Sequence, residues 1–62
     1  MFDFDYGRSI DCEIGRAVKL LVKGSCLVCL SSILTRLAEE RIAEQEHSRR
    51  RILTLAIETL VR

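Results

Sequence analysis

The sequence predicts an all-α fold, and three observations predict it. Proline is absent and glycine occurs only three times, at positions 7, 15 and 24. Residues 25–62 therefore lack both strong helix breakers. Along most of the chain, apolar residues recur at spacings of three and four, the period of one helix face. The expected architecture is two to three helices behind a short N-terminal arm: a helical hairpin with a long C-terminal helix, kinked or broken near residues 47–48. At 62 residues the chain is one small domain.

A chain this short buries only about 60% of its unfolded surface and is marginally stable alone. Its apolar fraction is 48%, more than two or three helices of this length can hide. Self-association as a homodimeric helical bundle is the expected solution.

The arm, residues 1–8, begins Met-Phe-Asp-Phe-Asp-Tyr, aromatics alternating with acids. It holds every aromatic residue of the protein. Termini are disordered unless tied down, so a frayed end that caps the core competes with an arm that binds a partner through Phe2, Phe4 and Tyr6.

Helix 1 is expected over 9–23. Ser9 is a suitable N-cap, and Asp11 and Glu13 complement the dipole of the first turn. Ile10, Ile14, Ala17, Val18 and Leu21 form one stripe. Lys23 followed by Gly24 reads as a stop.

Helix 2 is expected over 25–46 with Ser25 as its cap. Leu27, Leu30, Leu34 and Leu37 keep a three-four spacing, widened by Cys26, Ile33 and Ala38. This half reads as a hub buried on two sides, by helix 1 and by a second chain. From Glu39 to Arg51 the chain turns polar, with Arg41–Glu44 and Glu46–Arg50 spaced for helical ion pairs. The stripe resumes at Ile52, Leu53, Ala56, Ile57 and Leu60, with Leu55 and Val61 at its margins.

Ser48 can cap a third helix over 48–61. Unbroken, residues 25–62 would make a rod about 57 Å long that helix 1 cannot cover. The heptad that starts at Leu27 meets Arg41, Glu44, Ser48 and Arg51, which excludes a long coiled coil.

The sequence offers little chemistry. Cys26 and Cys29 form a CxxC, and with Cys12 and His47 they make a formally complete zinc set. Placed inside an apolar helix, the pair reads instead as core thiols, and no metal or other cofactor is expected. His47 has no nucleophile or orienting acid at a useful spacing, so no catalytic residue is assigned and no enzyme is expected. No run of about 20 apolar residues is available to span a membrane, since Lys23 and Arg36 bound the most apolar segment. An interfacial helix is the minor alternative. Cysteine usage fits a reducing, cytoplasmic setting.

Three functions remain as expectations. The first is a small accessory or regulatory protein, an adaptor or inhibitor, that binds a larger protein through Phe2, Phe4, Tyr6, Leu55, Ile57 and Val61. In that reading Leu27, Leu30, Leu34, Leu37, Ile52, Ala56 and Leu60 form the interface between copies. The second is a helical dimer that grips nucleic-acid backbone with Arg41, Arg49, Arg50 and Arg51. Against it, Glu39, Glu40, Glu44 and Glu46 lie within two turns of these arginines and would pair with them as a solvated face. The third is a purely structural homo-oligomer.

Overall fold

A computed structural model describes residues 6–62 and contains three α-helices: α1 (Tyr6–Lys23), α2 (Leu30–Ala43) and α3 (His47–Val61). Each helix packs on both others. With short links at 24–29 and 44–46, the chain runs up, down and up.

α1 starts at Tyr6, earlier than expected, so Ser9 lies inside the helix and does not cap it. Its end is a Schellman motif. Cys26 N donates to Leu21 O at 2.9 Å, and Ser25 N donates to Val22 O at 3.1 Å. The left-handed residue of this motif is Ser25, with φ 57°, one position beyond the glycine that signalled the stop.

That geometry corrects the expected start of α2. Ser25 closes α1 and caps nothing, and the chain stays non-helical through residue 29. The N-cap is Cys29, in extended conformation, which forms a capping box with Ser32. Cys29 N donates to Ser32 Oγ at 3.0 Å, and Ser32 Oγ donates to Leu27 O at 2.6 Å. The CxxC is therefore in a connector, outside any apolar helix.

The long C-terminal segment is broken at residues 44–46 without glycine or proline. Glu44 and Glu46 are both extended, and Glu46, not Ser48, is the N-cap of α3. The Arg50 guanidinium donates to Glu44 O through Nη2 at 2.7 Å and Nε at 3.2 Å. A side chain thus serves a carbonyl that the broken helix leaves without its partner. The break also cancels the expected Arg41–Glu44 and Glu46–Arg50 pairs: Arg41 Nε donates to Thr54 Oγ1 instead, at 2.6 Å.

The core is Ala17, Leu37, Leu53 and Ala56, flanked by Ile10, Ile14, Ile33, Ile57 and Leu60. Leu21 and Ile52 are also buried, and no described polar or charged residue is. Leu37, Ile52 and Ala56 were expected between copies. They are buried within one chain and have no surface to offer a second, because the break folds α3 back onto α1 and α2.

Candidate functional site

Two opposite ends of the bundle carry its chemistry. At the α2–α3 end, Arg49 enters a cluster of three carboxylates. Its guanidinium donates to Glu13 of α1 through Nε at 3.0 Å and Nη2 at 2.9 Å, to Glu40 of α2 at 2.6 Å, and to Glu44 at 2.6 Å. The charge-assisted bonds hold all three helical segments together. Hydrogen bonds from Arg49 and from the Glu46 amide push the Glu44 pKa below the usual carboxylate range. Bonds from Glu13 and Glu44 raise that of Arg49 further.

These contacts occupy the four arginines assigned to nucleic acid. Arg49 is bound to carboxylates, Arg50 to a carbonyl and Arg41 to Thr54, and Arg51 stacks over the Tyr6 ring at 5.9 Å from its centroid.

At the opposite end, the connector presents apolar residues to solvent. Val22 is 61% exposed, Leu27 77%, Val28 42% and Leu30 53%. Four large apolar side chains within nine residues of chain lie outside the core. The connector explains Leu27: had α2 begun at Ser25, Leu27 would lie on its inner stripe with Leu34 and Leu37, whereas Leu30 is the first residue of α2 and is exposed where that helix begins. The up-down-up course brings exposed Val61 to the same end. An open cleft of about 380 Å³ runs beside Leu27, lined also by Leu21, Cys26, Ser31, Ser32 and Thr35 and by the Arg36–Glu39 pair.

Cys29 stands at the base of this end. Its Sγ lies 3.4 Å from Ser31 Oγ and 3.5 Å from Ser32 Oγ. Hydrogen bonds from Ser31 and then Ser32 lower its pKa to about 7. Cys26 Sγ turns the other way, toward Gly24 O at 3.6 Å. Among the described residues no three His, Cys, Asp or Glu side chains are grouped to hold a metal ion, and Cys12, Cys26, Cys29 and His47 are spread over α1, the connector and the start of α3.

No family model, no curated protein and no solved structure matches this chain.

The residues assigned to partner binding are scattered by the fold. Phe2 and Phe4 lie outside the described residues. Tyr6 and Val61 are exposed at opposite ends, while Leu55 and Ile57 are half-buried, Ile57 against the core. Of the residues assigned between copies, Leu34 and Leu60 are half-buried, and only Leu27 and Leu30 are exposed. Sequence reasoning missed Val22 and Val28. One available signal was charge: residues 14–38 hold Arg16, Lys19, Lys23 and Arg36 and no carboxylate. No described helix is long and apolar enough to cross a membrane.

Proposed function

We propose that the protein is a small non-enzymatic docking module that attaches to a larger partner through its connector end. One observation carries this reading: Val22, Leu27, Val28 and Leu30 are exposed together. Leaving several large apolar side chains in water at one place is costly, and such patches mark interaction sites. In this reading the α2–α3 end is structural, since its arginines are committed within the chain. That commitment disfavours nucleic-acid binding through Arg41 and Arg49–Arg51.

A photoreactive residue placed at position 27 and, in a second variant, at position 45 tests the reading in the native cell. Both positions are exposed, one apolar at the connector end and one polar in the 44–46 link at the other end. Specific cross-linking from 27 and none from 45 is the expected outcome. Equal labelling from both would remove the docking role.

A further inference from the structure

The partner's chemistry is written around the apolar end. Lys23 is the last residue of α1, and Lys19 and Arg16 lie one and two turns back. All three are exposed and make no ion pair among the described residues. Arg36, the fourth cation of the stretch, is drawn the other way, to Glu39 at 3.8 Å and Glu40 at 3.3 Å. Arg62 follows Val61 at the same end, and Glu58 is the one carboxylate on the adjoining turn of α3. The other carboxylates of the described residues stand at 11, 13, 39, 40, 44 and 46. Glu39 lines the cleft beside Leu27 but pairs with Arg36, and the rest lie toward the α2–α3 end, among Arg8, Arg41, Arg49, Arg50 and Arg51, where Ile42 is also exposed. The connector end thus sets exposed cations beside its apolar residues, while the charges of the α2–α3 end are mixed and balanced.

The apolar side chains are aliphatic throughout. Protein–protein hot spots are enriched in Trp, Tyr and Arg, with Leu and Val under-represented, and no aromatic residue follows Tyr6. Aromatic residues mark lipid interfaces as well, so the choice of occupant rests on the exposed cations beside the aliphatic patch. Aliphatic side chains enter the acyl boundary while lysines extend their stems and keep their ammonium groups among the headgroups. We propose, on the strength of the docking role above, that the connector end seats on an anionic lipid bilayer, with Leu27, Val28 and Leu30 entering the interface and Arg16, Lys19 and Lys23 against the anionic headgroups. Insertion is shallow. Residues 26–28 are non-helical, and their peptide groups are served by water at headgroup depth but not in the hydrocarbon interior.

Co-sedimentation of the full chain with vesicles tests this. One set is phosphatidylcholine alone, and the other contains about 30% phosphatidylserine, which supplies the negative surface potential. The expected result is binding to the anionic vesicles roughly tenfold or more tighter than to the neutral ones, weakening as salt is raised from about 0.1 M to 0.5 M. Lys19→Glu with Lys23→Glu should remove the preference for anionic vesicles. Leu27→Ser with Leu30→Ser should weaken binding to both sets. Circular dichroism checks that each variant is folded, and the salt series on the unaltered chain needs no variant. Absence of binding to anionic vesicles, or equal binding to both sets, overturns the proposal. If position 27 cross-links to a protein while vesicles stay unbound, the lipid partner is excluded and the docking role stands. If neither occurs, both fall.

Discussion

Cys29 shows how one residue's position changes its chemistry. Inside an apolar helix it would be an inert core thiol. At the N-cap of α2 its sulfur faces two serine hydroxyls and the amides of a helix N-terminus, all of which favour the thiolate. In a Cys12→Ser/Cys26→Ser background, the alkylation rate of Cys29 by iodoacetamide should rise with pH through a midpoint near 7. Replacing Ser31 and Ser32 with Ala should move that midpoint up; an unchanged midpoint would show that the hydroxyls do not set it. Ser25 is the second such position. A non-glycine residue in the left-handed region costs about 1–2 kcal/mol, partly offset in glycine by its greater unfolded-state freedom. Ser25→Gly should therefore stabilise the chain by about 0.5–1 kcal/mol, read as a higher thermal midpoint. A lower midpoint would show that the Ser25 side chain contributes more than its backbone strain costs.

At the scale of elements, what could be read from the sequence follows from which interactions are local. The stripes of α1 and α3 were legible because Ile10, Ile14, Ala17, Leu53, Ala56 and Ile57 repeat with the helical period and face one core. The start of α2 was not. Ser25 and Cys29 are both plausible caps, and the choice is made by the Schellman closure on Leu21 and Val22 and by Ser32 reaching back. The break at 44–46 has no breaker residue. It depends on Arg49 and Arg50, which bond to groups that come near only once the chain has turned. Arg49→Met tests that dependence. It removes the cation shared by three half-buried carboxylates and should cost about 1–3 kcal/mol at neutral pH, the worth of a charged hydrogen-bond partner. The loss should fade in acid. The folded-state pKa of Glu44 is depressed, so its contribution is full above its unfolded value of about 4.3 and is lost as pH falls through the lower folded value. The gap between urea melts of the two chains should narrow as pH falls below about 4. A gap that does not narrow in acid would mean that Arg49 acts by packing and not by charge.

For the whole molecule, the division between core and docking end predicts that apolar substitutions fall into two classes. A chain of this length has a total stability of about 3–9 kcal/mol. Leu53 is 0% exposed at the centre of the three helices, and Leu53→Ala should cost about 2–5 kcal/mol in lost burial and cavity. That is most of the stability available, so its thermal transition should broaden or vanish. Leu27→Ser and Leu30→Ser remove side chains of the same kind from positions 77% and 53% exposed. Little burial is lost there, so the change in stability should stay within about 0.5 kcal/mol. If these residues were covered by a second copy, as the apolar fraction first suggested, the same substitutions would lower the thermal midpoint in a way that grows with protein concentration. Melting the unaltered chain and the Leu27→Ser/Leu30→Ser chain over a hundredfold range of concentration separates the cases. Coincident, concentration-independent curves leave the connector end free for an outside partner. A midpoint that climbs with concentration only in the unaltered chain gives that end to a dimer.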